Sequence, residues 1–169
     1  MKKFLKLLLV PVLFASCGLG DESKIIKLND TIVEANTEVA KSAEHFGNLL
    51  EAAIKTQNYA TLKPERVKLG QLVDAKIGVI SKMQDVGGSE EFRKTELEYL
   101  NLQKKCIDEG FSRLEQITDK TSMTEVEKIM NEVQEMASKE DSYVNRLNVL
   151  QTVFAKKNHL TLESDKKEE

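Results

Sequence analysis

Lys24-Ile25-Ile26-Lys27-Leu28-Asn29-Asp30-Thr31-Ile32-Val33-Glu34-Ala35-Asn36-Thr37-Glu38-Val39 opens the stretch that decides the fold. Its apolar positions Ile25, Leu28, Ile32, Ala35 and Val39 continue through Phe46, Leu49 and Ala53, three and four residues apart except where Ser42 fills one slot. An α-helix turns once in about 3.6 residues, so this spacing stacks the apolar side chains on one face, whereas a strand would need alternation. The stretch therefore reads as one long amphipathic helix fraying near Thr56, where Asn58 suits the left-handed conformation of a C-terminal cap.

Three more helices follow. Pro64 and Glu65 suit a first helical turn, since proline lacks only an N–H that is orphaned there anyway and glutamate complements the helix dipole. Leu69, Val73, Ile77 and Ile80 make the apolar face of this second helix, which Gly87-Gly88 stops. Ser89 is the expected N-cap of a third helix, with Glu90 and Glu91 in its first turn and a stripe from Phe92, Tyr99 and Leu100 to Cys106, Ile107, Phe111, Leu114 and Ile117. Thr124 and Glu127 have capping-box spacing, and Val126, Ile129, Val133, Met136, Tyr143, Leu147, Leu150 and Phe154 carry a fourth helix to about Asn158.

Short connections favour antiparallel neighbours, so the expected fold is all-α, an up-down-up-down antiparallel four-helix bundle over residues 24–160. The near-heptad seam of the first and fourth helices also fits a coiled-coil hairpin that forms a homodimer to finish its core. Glu163 to Glu169 alternate charge with nothing apolar to bury, and residues 161–169 read as a charged disordered tail.

Ahead of this domain stand Met1-Lys2-Lys3, then an uncharged run from Leu7 to Phe14, then Ala15-Ser16-Cys17. A basic start, a short apolar run and small residues make up a secretory signal, and the run is about half of the ~20 residues a membrane-spanning helix needs. Leu13-Phe14-Ala15-Ser16-Cys17 resembles a bacterial lipoprotein signal, with Phe14 where an aliphatic residue is usual. The resemblance implies cleavage after residue 16, acylation of Cys17 (palmitate among its chains) and a membrane anchor, with residues 17–23 as tether. Gly18 stands where, in the sorting system this resembles, an aspartate would retain the protein at the inner membrane, so the expected location is the outer membrane, on its periplasmic face or at the cell surface.

From Lys24 to Leu162 the chain also resembles a group of secreted or surface helical lipoproteins of unknown function from diderm bacteria. The residues that carry this are Asn29-Asp30-Thr31-Ile32-Val33, Gly87-Gly88-Ser89-Glu90-Glu91-Phe92-Arg93 and Val153-Phe154-Ala155-Lys156-Lys157-Asn158-His159. The resemblance implies a helical architecture and brings no catalytic residues.

Loss of the first sixteen residues would remove Lys2, Lys3 and Lys6 and no acid, so 25 basic residues become 22 against 28 acidic ones and the formal charge moves from -3 to -6. Nucleic acid is not an expected partner, because phosphate binding needs clustered cations. With Cys17 acylated, Cys106 has no disulfide partner, and on an apolar stripe a free thiol behaves as a small hydrophobe. About 150 residues suffice for one domain stabilised by packing.

Enzymatic signatures are missing. A di-iron bundle needs Glu-x-x-His pairs, yet Ser42 precedes His45 at that spacing and Lys156 precedes His159. Neither Cys-x-x-Cys-His, nor a glycine-rich phosphate loop after a strand, nor Gly-x-Ser-x-Gly occurs. No cofactor, metal site or catalytic residue is expected, and His45 reads as a helix-surface residue. Gly110 in mid-helix suggests a close helix approach, and Asn36, Gln103 and Glu140 fall on or near apolar faces, where a polar residue can fix register.

The expected function is thus a membrane-anchored lipoprotein that serves as a binding or structural module of the cell envelope, with an envelope or host protein as partner. Two alternatives stand beside it. One is a surface-exposed adhesin or antigen, suggested by Asp21-Glu22 behind the anchor; the other is a small-ligand carrier or enzyme with a pocket between the helices.

Overall fold

The computed structural model describes residues 12–13, 21–118 and 120–162, with Val12–Leu13 described through its backbone. Cys17, the expected acylation site, and residues 163–169 lie outside the described residues.

Helix α1 runs Asp21–Thr56, and its 36 residues span about 54 Å at 1.5 Å each. Leu28, Ile32, Ala35, Val39, Phe46 and Ala53 of the expected seam are buried, joined by Val33 and Leu50. The cap falls one residue before the expected Asn58. Gln57 takes the left-handed conformation (φ 55°), and Asn58 instead closes an Asx turn, its Oδ1 accepting from the Ala60 N–H at 3.2 Å.

Helix α2 spans Leu62–Ile80, with Pro64 and Glu65 in its first turn. It stops well before Gly87-Gly88. The N–H groups of Lys82 and Met83 reach back to the carbonyls of Val79 and Ile80, tightening the end into 3₁₀ geometry.

Helix α3 covers Glu90–Lys105 and passes without a loop into a π-helical turn, Cys106–Phe111, and then a short α4, Ser112–Leu114. Ser89 is not the expected side-chain cap. It is fully buried, and its Oγ accepts from the Val86 N–H at 3.0 Å, fastening the turn behind it rather than the helix ahead.

The expected fourth helix is two helices, α5 over Met123–Ser138 and α6 over Glu140–Lys157, joined at Lys139 with no intervening loop. Its start also differs from the Thr124–Glu127 box. Ser122 is the N-cap, in extended conformation (ψ 150°), with its Oγ accepting from the Glu125 N–H at 3.2 Å. The cap that wins is the serine already extended, because only that backbone lets the side chain reach the third helical N–H.

The chain is thus all-helical over nearly all of its described length, with bent and joined helices. Helix α1 packs on α2, α2 on α3, α3 on α6, and α5 on the π turn. Phe46 of α1 stacks on Phe111 with ring centres 4.7 Å apart, and Phe92 of α3 meets Phe154 of α6 at 5.8 Å. Arg66 and Glu115, both largely buried, form a two-pronged pair at 2.8 and 3.2 Å that ties the start of α2 to the end of α4.

A two-residue antiparallel pairing matches Val12 with Leu162 and Leu13 with Thr161, and Leu162 is buried beside Ala155. Its first strand lies within the segment read as a signal peptide and would leave with it on cleavage.

Where α6 ends, Asn158 Nδ2 donates to the Gly87 carbonyl at 3.1 Å and to the Phe154 carbonyl at 2.8 Å. Gly87 has φ 59°, and a Cβ there would sit 2.4 Å from Asn158 Oδ1, so both backbone and space exclude a side chain. Gly110 contrasts with it: a Cβ would meet Met136 Sδ at 3.4 Å and Val133 Cγ2 at 3.5 Å, ordinary contact distances. The close approach that its sequence position suggested is therefore not strict. Gly87→Ala should destabilise the fold by about 1–3 kcal/mol, while Gly110→Ala should be neutral or stabilise by up to about 1 kcal/mol. Urea unfolding of the two variants checks the ranking, and equal losses would contradict it.

Candidate functional site

The most unusual chemistry among the described residues is a row of polar side chains inside the helices. Seven polar residues are buried, and five of them come from the two helix faces that also carry the core: Asn29 and Asn36 of α1, and Thr95, Glu96 and Gln103 of α3. On α1 the two asparagines are seven residues apart, two turns along the apolar face.

Asn36 Nδ2 donates to Glu96 Oε2 at 2.9 Å and to the Ile32 carbonyl at 3.1 Å. Asn29 Oδ1 accepts from Gln151 Nε2 of α6 at 2.9 Å. One asparagine therefore fixes α1 against α3 and the other fixes it against α6. A buried amide without a partner loses about 1–3 kcal/mol of solvation, so a slip of either helix is strongly disfavoured.

Glu96 is completely buried, and this desolvation raises its pKa to about 8, while the hydrogen bond from Asn36 pulls the other way. It is a neutral carboxylic acid at pH 7. Near it Thr95 Oγ1, Tyr99 Oη, Asn36 Oδ1 and Gln103 Oε1 are buried without a hydrogen-bond partner among the described residues. Burial, and then the charges of Glu140 and Glu96, push the Tyr99 phenol further above its ordinary value. Half-buried Glu140 is raised to about 7 by desolvation and by Asp141 beside it.

A cavity of about 20 Å³ lies between Val39, Ala43, Leu69, Gln103, Cys106 and Glu140. It has room for about one water, whereas organic ligands occupy roughly 300–1,000 Å³. Cys106 on its wall is buried and has its pKa raised to about 11, first by burial and then by the Glu140 charge, so its sulfur is a thiol rather than a reactive thiolate.

Of the residues singled out from sequence, Asn36, Gln103, Cys106 and Glu140 gather along this row. His45 does not join them: it is exposed on α1, 3.8 Å from Glu65. Asp21 and Glu22 occupy the first turn of α1, where their charge complements the helix dipole. Glu96 and Gln151 carry no sequence signal of burial, whereas Asn29 and Asn36 repeat at heptad spacing beside Leu28 and Ala35, a signal open to sequence reading. No group of three or more His, Cys, Asp or Glu able to hold a metal ion occurs among the described residues.

No protein-family model, no curated protein and no solved structure matches this chain.

The raised pKa of Glu96 makes stability depend on pH. The unfolded chain releases this proton near pH 4.5 and the folded chain near pH 8, so the folded state holds one more proton between those values. The contribution of protonated Glu96 to stability is fully present below about pH 4.5 and falls by about 1.4 kcal/mol per pH unit until about pH 8, then levels. Glu96→Gln keeps the shape and cannot ionise. It should stabilise the protein by a few kcal/mol at pH 9, with little change at pH 4, as read from denaturation midpoints. A midpoint difference independent of pH would show that Glu96 does not titrate in the core.

Proposed function

We propose that this chain is a bacterial lipoprotein, anchored by acyl chains on Cys17, and that it serves as a binding or structural module of the cell envelope. The observation that carries this reading is Ala15-Ser16-Cys17 directly after a short uncharged run behind a basic start. Two or more acyl chains anchor stably, so such an anchor needs no spanning helix. No helix among the described residues is long and apolar enough to cross a membrane, which suits attachment by lipid. Gly18, in place of a retaining aspartate, favours the outer membrane.

The body of this module is, in the same proposal, an up-down-up-down antiparallel four-helix bundle, with the joined pair α5 and α6 as its fourth member. Contacts of α1 with α2, α2 with α3 and α3 with α6 support it, and the Asn29–Gln151 bond between the start of α1 and the end of α6 suits closure of the ring. An anchored helical body offers surfaces, and binding through them is the activity assigned to it.

Cys17→Ala should abolish acyl labelling and release the protein from membranes. Unchanged labelling would overturn the anchor. In the unaltered protein, recovery with outer-membrane markers is expected on fractionation, and protease added to intact cells then reports which face carries the module.

A further inference from the structure

Lys24, Lys27 and Thr31 are three and four residues apart and line one face of α1 at its first turns. The end of α2 and the turn after it lie opposite, with Val79, Lys82 and Met83, and an open cavity of about 350 Å³ separates the two sides. Its floor is apolar, with Val79 52% exposed and Met83 and Val86 beside it. Its rim carries three ammonium groups. Lys27 and Lys82 form no ion pair among the described residues, and Lys24 has only Asp21, 3.6 Å away on an outward-facing side chain. In a chain of net negative charge, an apolar trough ringed by lysines and one hydroxyl is a local inversion that complements an anionic amphiphile.

The position of the groove selects among such ligands. Lys24 is seven residues after Cys17, so even a fully extended connection places it no more than about 25 Å from the acylated residue. A ligand confined to the same membrane surface is then presented at high effective concentration.

We propose that this groove seats the phosphate headgroup of an anionic phospholipid in the membrane that holds the Cys17 anchor. The three lysines engage the phosphate, Thr31 donates a hydrogen bond to it, and the glycerol and first methylenes lie on Val79 and Met83. Attraction of juxtamembrane lysines to anionic lipid acts within about one Debye length of the surface, so the contact forms only because the anchor holds it there. Its consequence is orientation: the anchored end, where α1 starts and α2 stops, stands against the bilayer, and the opposite end, with the α1–α2 turn and α5, faces away. This rests on the lipid anchor proposed above.

The test uses the lipidated full chain carrying Ser81→Cys, an exposed position next to Lys82 in sequence, labelled with an environment-sensitive dye; Cys106 is buried. The protein is reconstituted into vesicles of phosphatidylcholine alone or mixed with phosphatidylglycerol. Blue-shifted emission and quenching by brominated lipid are expected in the anionic vesicles, lost in the K24Q/K27Q/K82Q variant and at about 1 M salt, where the Debye length is near 3 Å. Equal emission in both vesicles, or a shift that survives in the triple variant, would overturn the groove assignment. A shift produced by soluble glycerophosphate in neutral vesicles would assign the groove to free phosphate and overturn the lipid. Flotation with the vesicles, scored in the same samples, reports the anchor separately, since a groove failure leaves flotation intact and an anchor failure abolishes it.

Discussion

Asn36 and Glu96 meet 2.9 Å apart with no water-exposed surface on the carboxyl, and that contact fixes the register of α1 against α3. Apolar side chains would accept many relative positions of α1 and α3, because dispersion and desolvation are nondirectional. A buried carboxyl and a buried amide do not, since each loses solvation that one partner in one register returns. Asn29 and Gln151 repeat the device between α1 and α6. The row trades some stability for a single alignment of three helices, and the raised pKa of Glu96 is the measure of that trade.

The two ends of the structure are held differently. At one end the Gly87-Gly88 turn, with both glycines at positive φ, fits under Asn158, and Ser89 fastens the turn from behind. At the other end the π turn lets the third helical segment bend onto α5, with the Arg66–Glu115 pair and the Phe46–Phe111 stack bracing α1 and α2 against it. A π turn adds one residue to a helical ring, which rotates everything after it and brings Gly110 to face Val133 and Met136. The lysine-rimmed groove belongs to the first end, the one next to the proposed anchor.

The sequence was informative wherever a local rule operates. The three- and four-residue spacing from Leu28 to Ala53 needs no partner to declare a helix, and Pro64-Glu65 and Glu90-Glu91 mark helix starts by the chemistry of orphan N–H groups. Caps were less legible because two neighbours competed. Ser122 and Thr124 each head an acid three residues on, and only the extended backbone at Ser122 decides between them. The joint at Lys139 is illegible in the sequence for a related reason: its dihedrals (φ -71°, ψ -19°) stay helical, so no turn residue announces it.

By itself, then, the sequence determined an all-helical chain with its apolar faces, and the N-terminal pattern from which a lipid anchor is inferred, because both are read from residues near one another along the chain. Tertiary structure alone decided that Glu96 and Gln151 became interior. Glu96 and Gln151 look like solvated helix residues until α1 closes over them and supplies Asn36 and Asn29. The same holds for the groove: Lys24 and Lys82 are separated by most of two helices, and only the packing of α1 on α2 gathers their charges over the exposed Val79. Desolvation and charge clustering depend on distance in space, and that distance is set when the helices pack.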